Sequence, residues 1–187
     1  MLRSIVLLAT LSLSLFWSGV TTAQDKEQQA QQLYQRLSES HWVAEGAPSP
    51  ERVVYTFTDM ECPYCARQWQ AMRPFIESPD NRTQVRHIIV AMLKPTSFGK
   101  GAAVLASPDP AAALKTAQER FSDGGITPMD DVPEGTAEAL RANSTLMRAL
   151  GIRGTPATVF RDPEGQLQFA PGLLSEEALR RYVFQVD

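Results

Sequence analysis

The sequence contains little cysteine, little histidine and no excess of charge of either sign. Of its 187 residues, 2 are Cys and 2 are His. So few cysteines exclude a disulfide-scaffold fold, and they exclude a four-ligand Cys/His zinc site separate from the one Cys pair. Lys and Arg number 18 against 21 Asp and Glu, for a net charge of −3. This near balance argues against a nucleic-acid partner, because a nucleic-acid binder should show a basic face.

Apolar residues, in contrast, are not scarce, since they make up 43% of the chain. That share is close to the average for globular proteins, which excludes disorder for most of the chain. The length predicts one domain, with two small ones as the alternative.

The N-terminal segment has the layout of a targeting signal. Arg3 precedes an apolar stretch from Ile5 to Trp17, and small residues follow up to Ala23. The stretch is too short and too rich in Ser and Thr for a comfortable membrane span. We therefore predict a signal peptide over residues 1–23, with an uncleaved anchor as the alternative. Cleavage would leave the mature chain in an oxidising compartment, where a Cys pair can form a disulfide.

The next segment, residues 24–49, is predicted to be an amphipathic linker helix followed by a hinge. Residues 24–45 are rich in Gln and Glu, and their apolar and aromatic side chains fall at helical spacing. These side chains are Ala30, Leu33, Tyr34, Leu37 and His41. The Gly- and Pro-containing residues 46–50 end the pattern.

The remaining residues, 50–187, predict an α/β domain. The expected elements are a strand at 52–57, a helix at 63–77, a strand at 85–91, a helical block at about 95–151, a hairpin with strands at 158–160 and 167–169, and a last helix from Ser175. This order is a βαβ half followed by a ββα half, with an inserted helical subdomain between them.

Both cysteines belong to one motif, Cys62-Pro63-Tyr64-Cys65, which falls after a predicted strand and at the start of a predicted helix. Cys62 is expected at or near the N-cap, and Pro63 suits the first helical position. The unpaired N–H groups and the positive end of the helix dipole would stabilise a thiolate there. Cys65 is one turn further on and is expected to be more buried. Cys62 is therefore predicted to attack and Cys65 to resolve.

Three other interpretations of the motif compete with redox chemistry. A structural disulfide would be poorly placed, because closing a four-residue loop removes only about 2 kcal/mol of chain entropy, against ~4.7 for about 100 residues. Half of a metal site would need two more ligands, and only His41 and His87 are available. The pattern around His87 is that of a core or edge histidine. Two inert buried thiols are the third alternative, which the helix start disfavours.

A second feature comes after the helical block. Thr155 and Pro156 immediately precede a predicted strand. Proline cannot donate to a sheet, so the peptide bond before it is a candidate for the cis form. A trans proline at a strand start is the alternative. The Cys pair upstream favours the cis form.

Together these motifs resemble the catalytic domain of the bacterial periplasmic disulfide isomerases of the DsbC/DsbG type, over residues 50–187. The Cys-Pro-Tyr-Cys loop is more like that of DsbG. The residues that carry the resemblance are Phe57-Thr58-Asp59-Met60-Glu61-Cys62-Pro63-Tyr64-Cys65, Trp69, Arg73-Pro74, Lys94-Pro95, Ala103 to Pro110 and Gly154-Thr155-Pro156. The resemblance implies a thioredoxin fold, a nucleophile at Cys62, a resolving thiol at Cys65 and a cis Pro156 facing the pair. It also implies that Thr155 and Pro156 help to bind substrate.

The sequence departs from the family in two respects. About 26 residues separate the predicted signal from the catalytic domain, too few for the family's N-terminal dimerisation domain, so we expect a monomer or a weak dimer. The second departure is Glu61, beside the nucleophile. A neighbouring carboxylate would oppose thiolate formation at Cys62 and hold its pKa in the upper part of the usual range. The alternative is that Glu61 is a solvated loop acid.

The leading hypothesis is a periplasmic thiol–disulfide oxidoreductase, acting as a reductase or isomerase on disulfides or sulfenic acids of secreted or periplasmic proteins. It would need no cofactor, and a membrane protein is a candidate electron donor. Two alternatives remain open. One is a monomeric disulfide oxidase. The other is a chaperone-like module that binds peptides in an apolar cleft near Tyr64 and Pro156.

Overall fold

The computed structural model describes residues 23–186, so the predicted signal peptide lies outside the described residues except for Ala23. A five-stranded mixed sheet forms the centre of the fold. Its strands are β1 (Trp42–Gly46), β2 (Arg52–Thr58), β3 (Thr83–Ile89), β4 (Ala157–Arg161) and β5 (Leu167–Pro171). They are arranged in the order β1-β3-β2-β4-β5. Only β2 and β3 are parallel. The predicted βαβ unit and the predicted hairpin are both present.

Helices cover both faces of the sheet and fill the insertion. They are α1 (Ala23–Ser38), α2 (Pro63–Ile76), α3 (Thr96–Leu105), α4 (Pro110–Glu119), α5 (Glu134–Ala149) and α6 (Glu176–Ala178). A 3₁₀ turn follows α4 at Phe121–Asp123, and a π-helical stretch at Leu179–Phe184 continues α6. Within residues 23–186, no helix is long and apolar enough to cross a membrane.

The strand period of two divides the core between the faces of the sheet. On β2, Tyr55 and Phe57 pack with Leu37 of α1 and with α5, while Val54 packs on the opposite face with Met72 of α2. Removing each such side chain from water contributes about 1.5–3 kcal/mol. The cluster on the second face holds α2, and with it the Cys motif, against β2 and β3.

The insertion has an apolar cluster of its own, which joins it to one end of the sheet. Ala102, Leu114 and Leu140 of the three inserted helices pack with Met60 and with Ile89 at the end of β3. Met60 belongs to the loop that leads into the Cys motif. The inserted helices are thereby placed beside the reactive part of the chain.

The prediction of one helix over residues 24–45 is wrong in its extent. The helix ends at Ser38, and Trp42–Gly46 forms an edge strand, antiparallel to β3. The segment leaves the helix because Asn143, 102 residues away in sequence, bonds both backbone groups of His41. Such a long-range contact leaves no periodic signal in the sequence. His41 therefore lies in the turn before β1 and not on a helix.

Candidate active site

The Cys motif occupies the start of α2, as predicted. Cys62 is the N-cap residue, with extended backbone angles, and Pro63 is the first helical residue. A proline there costs nothing in hydrogen bonding, because the first N–H groups of a helix have no partner within it. The N–H of Cys65 is directed back to Cys62 Sγ, at 3.4 Å. The local sequence thus places one sulfur where helix N–H groups converge.

Cys62 is surrounded by groups that stabilise its anion. Hydrogen bonds from the Cys65 thiol, from Thr155 and from the backbone N–H groups of Cys65 and Tyr64 oppose the effect of burial and lower the pKa of Cys62 to about 6. As a thiol, Cys62 donates to the Thr155 carbonyl at 3.2 Å. Cys62 is therefore mostly ionised at neutral pH.

Cys65 shows the opposite behaviour, although both cysteines are thiols and each is 2% exposed. Burial raises the pKa of Cys65 well above its ordinary value, and its hydrogen bond to Cys62 and the charge of Cys62 raise it further. Cys65 is therefore the more deeply buried of the two thiols, as predicted, although the exposed fractions of the two residues are equal. The two thiols differ in hydrogen bonding and desolvation, while their exposed fractions are equal.

The Thr155–Pro156 peptide bond is cis, as predicted from its position before β4. Pro156 and Cys65 both line a small cavity of about 10 Å³. The other residues around it are Thr56, Thr58, Gln68, Trp69, Met72 and His87. The Thr-Pro loop thus lies beside the dithiol, with the Thr155 carbonyl 3.2 Å from Cys62 Sγ.

Glu61 departs from one of the two roles expected for it. It is only 9% exposed, so it is not a solvated loop acid. Its carboxylate lies 2.7 Å from Lys100 Nζ and 3.0 Å from Lys94 Nζ, and it accepts a hydrogen bond from the Thr96 hydroxyl at 2.6 Å. Burial favours the neutral acid, but the hydrogen bonds from Lys100, Thr96 and Lys94 lower the pKa of Glu61 to about 2. It is thus an ionised carboxylate whose charge is compensated.

Asp59 anchors the loop that carries the motif, a role that the sequence analysis missed. It is fully buried and accepts four hydrogen bonds. They come from the N–H of Glu61 at 2.9 Å, the Ser97 hydroxyl at 2.8 Å, and the N–H groups of Met92 at 2.8 Å and Leu93 at 3.1 Å. Each carboxylate oxygen thus ties the motif to a different segment. Its place three residues before Cys62 was the only available signal.

A second buried carboxylate, Glu45, lies on the α2 face of the sheet, and it was also missed. It accepts from Trp69 Nε1 at 2.8 Å and binds both terminal nitrogens of Arg73 at 3.0 Å. His87 Nε2 lies 2.9 Å from the same carboxylate. Burial favours the neutral acid, but the neighbouring His87, together with Arg73 and Trp69, lowers the pKa of Glu45.

The metal alternative depended on His41 and His87 joining the Cys pair. His87 does line the cavity behind Cys65, and it is 2% exposed, as expected of a core histidine. His41 is held by Asn143 instead. Among residues 23–186, no three Cys, His, Asp or Glu side chains are grouped closely enough to hold a metal ion.

The loops beside the dithiol expose apolar side chains. Tyr64 is 54% exposed in the motif itself, and Met92 and Leu93 are exposed in the loop that Asp59 holds. Leu173 is exposed next to Gly172, whose N–H bonds the Pro156 carbonyl. A surface of this kind can contact the apolar residues of an extended peptide.

Comparison with known proteins extends these observations. A family model for a thioredoxin-like domain matches residues 43–187. The chain is 34% identical over 143 residues to the thiol:disulfide interchange protein DsbG of Pseudomonas aeruginosa, covering 76% of this chain and 55% of the relative. It is 36% identical over 151 residues to DsbG of Escherichia coli, covering 79% of this chain and 59% of the relative. The chain thus spans less than two thirds of the length of these relatives.

A solved structure supports the thioredoxin-like fold. The catalytic domain of Proteus mirabilis ScsC superposes with a TM-score of 0.65 at 23% identity, covering 84% of this chain and 95% of that one.

Proposed function

The chain belongs to the thioredoxin-like domain family, and on this premise we propose that it is a thiol–disulfide oxidoreductase acting on periplasmic proteins. The family match and the DsbG relatives confirm the predicted fold class and the resemblance on which it was based. One observation carries the proposal. Two thiols one helical turn apart have pKa values shifted in opposite directions, so that one is the nucleophile and the other stays protonated.

The proposed reaction is a pair of thiol–disulfide exchanges. The Cys62 thiolate attacks one sulfur of a substrate disulfide, whose S–S bond breaks while a bond from Cys62 to that sulfur forms. The other substrate sulfur leaves as a thiolate and takes up a proton. Cys65 then loses its proton and attacks Cys62 Sγ, which releases the substrate as a dithiol and leaves a Cys62–Cys65 disulfide. Two electrons pass to the substrate, so a thiol electron donor must reduce the pair again.

The same site can act on two related substrates. If the released substrate thiolate attacks the mixed disulfide before Cys65 does, the result is isomerisation without net reduction. If the substrate is a sulfenic acid, its hydroxyl takes up a proton and leaves as water when Cys62 attacks. Thr155 and Pro156 are proposed to align the substrate backbone, and Tyr64 to contact its side chains.

The proposed location is the periplasm, reached through cleavage of a signal peptide over residues 1–23. The N-terminal pattern of Arg3, apolar stretch and small residues supports this proposal. Analysis of the N-terminus of the protein recovered from periplasm would test it, with a mature chain beginning at Gln24 as the expected result.

The proposed assembly is a monomer or a weak dimer. The apolar stripe of α1 is used within the chain, since Leu37 is fully buried and Leu33 and Tyr34 pack on the same cluster. The stripe is therefore not available to pair with a second copy. Light scattering should give the mass of one chain at micromolar concentration, and a stable dimer would contradict the proposal.

Substrate trapping tests the activity. In a Cys65→Ser variant the first step proceeds and the second cannot, so mixed disulfides with periplasmic proteins should accumulate at Cys62. Pretreating the extract with dimedone, which caps sulfenic acids, should remove the sulfenic-acid adducts and leave the disulfide-derived ones. A Cys62→Ser variant should trap no substrate. Equal prevention of aggregation by Cys62→Ser and the unmodified chain would favour a peptide-binding module instead.

A further inference from the structure

The residue directly before the nucleophile is a buried, ionised carboxylate, and the insertion supplies cations to it. We infer that Lys100 is a positioning residue for the reaction: with Lys94 it cancels the charge of Glu61, so that Cys62 remains the reactive thiolate at neutral pH. This inference rests on the proposed role of Cys62 as the nucleophile.

The two lysines differ in how far they compensate the negative charge of Glu61. Lys100 Nζ lies 2.7 Å from one oxygen of Glu61, and the lysine side chain is only 11% exposed. Lys94 Nζ lies 3.0 Å from the other oxygen, but its side chain is 59% exposed. Solvent and salt screen an exposed charge much more than a buried one. Lys100 therefore provides most of the compensation.

Lys100 is also held in place by the insertion. Its Nζ donates to the Gly124 carbonyl at 2.7 Å, just after the 3₁₀ turn. This second bond fixes the ammonium between the turn and Glu61, on a helix packed beside the motif. The insertion thus has a chemical effect on the dithiol in addition to its packing.

The compensation matters because like charges oppose each other strongly where water is excluded. If the ammonium of Lys100 were removed, Glu61 would keep its negative charge on the residue that directly precedes Cys62 in the chain. The pKa of Cys62 would then rise, and less thiolate would be present at neutral pH. Removing the carboxylate as well would cancel most of this rise.

Cys62 has other charged and titratable groups nearby, and none of them is changed in the variants proposed below. Asp59 is held by its four hydrogen bonds within the same loop, and Cys65 lies one turn along α2. Arg67 of α2 lies 5.5 Å from the centre of the Tyr64 ring. Arg153 is exposed in the loop that leads to Thr155. Differences in the pKa of Cys62 between the variants therefore reflect the changes made at Glu61 and Lys100.

The test is the pH dependence of Cys62 alkylation in the reduced protein, with the labelled cysteine identified by peptide mapping. Lys100→Met should raise the pKa of Cys62 by about half a unit to one unit, the size expected for one partly screened charge. Glu61→Gln should lower it. The double variant should return to within about 0.3 units of the unmodified chain. Lys115→Met is the matched control, because it breaks a surface pair with Glu119 within the same insertion, and it should cause no shift.

Two results would overturn the inference. One is an unshifted pKa of Cys62 in Lys100→Met. The other is a double variant in which the pKa of Cys62 stays as high as in Lys100→Met, because the rise would then come from a structural change. If Lys100→Met does not fold, Lys100→Arg and Glu61→Gln decide, since the first should keep the pKa and the second should lower it. The measurement uses no substrate. A failed activity assay alone would therefore count against the proposed function. An unshifted pKa of Cys62 in Lys100→Met would count against the inferred role of Lys100.

Discussion

Cys62 and Cys65 lie one helical turn apart and are equally covered, yet their pKa values shift in opposite directions. The region around Cys62 supplies N–H groups, a thiol and Thr155, all of which favour an anion. The region around Cys65 is a small cavity lined by side chains from the sheet, α2 and Pro156. The comparison teaches that directed hydrogen bonds and desolvation, more than exposed area, set the two pKa values apart.

The two buried carboxylates extend the same comparison. Glu61 stands beside the reactive thiol and is bound by two lysines and a hydroxyl. Glu45 belongs to the interior and is bound by Arg73, Trp69 and His87. Both are ionised because partners outweigh burial. We expect Glu61 to affect mainly reactivity and Glu45 mainly stability, since only Glu61 adjoins the nucleophile.

The largest expected difference is in the reactivity of the two thiols. Iodoacetamide at neutral pH should label Cys62 at least about a hundredfold faster than Cys65, because the thiolate is the reactive species and its fraction changes tenfold per pKa unit. Peptide mapping over time measures both rates in the reduced chain. Preferential labelling of Cys65 would reverse the assigned roles.

The next largest effect concerns the interior carboxylate. Glu45→Gln should lower the free energy of unfolding by about 3–5 kcal/mol, because it leaves the largely buried Arg73 with only the exposed Glu77, 3.8 Å away, as a charged partner. Glu51→Gln is the matched control, since Glu51 pairs with Arg82 on the surface, and it should cost less than about 1 kcal/mol. Urea denaturation of both variants measures the difference. Equal costs would show that burial of the Glu45 pair is not important.

A smaller loss is expected at the loop that carries the motif. Asp59→Asn should cost about 1–3 kcal/mol, since an amide group replaces one of two oxygens that accept hydrogen bonds from buried donors. Asp109 caps α4 on the surface by accepting from the Ala112 N–H at 3.0 Å, and Asn caps a helix about as well as Asp. Thermal unfolding of Asp109→Asn should therefore be nearly unchanged. A similar loss in both variants would contradict the anchoring role of Asp59.

The last expected effect is a pH dependence of stability in the reduced chain. The pKa of Cys62 is about 6 in the folded state, against an ordinary value of 9.0. A lowered pKa stabilises the fold above the ordinary value, and this stabilisation is lost as the pH falls through the folded-state value. The stability of the reduced chain relative to Cys62→Ser should thus increase from about pH 6 to about pH 9. A flat difference in urea denaturation across this range would contradict it.

Much of this protein is determined by local sequence. The helix start at Cys62 and Pro63 follows from the proline and from the capping position, and the periodicity of apolar residues predicts α2, α5 and the β4–β5 hairpin. These elements depend on residues that are neighbours in the chain, so that their geometry follows from backbone preferences and side-chain spacing. The cis bond before Pro156 was predicted from its place before a strand together with the Cys pair far upstream.

The tertiary structure alone decided the surroundings of these elements. Trp42–Gly46 became a strand because β3 and Asn143 hold it, and Glu45 met Arg73 and His87 only when β1 paired with β3 opposite α2. Glu61 gained its lysines only when the insertion packed beside the motif. Each of these contacts joins distant parts of the chain. The sequence around a charged residue does not indicate which distant residue will pair with it after folding.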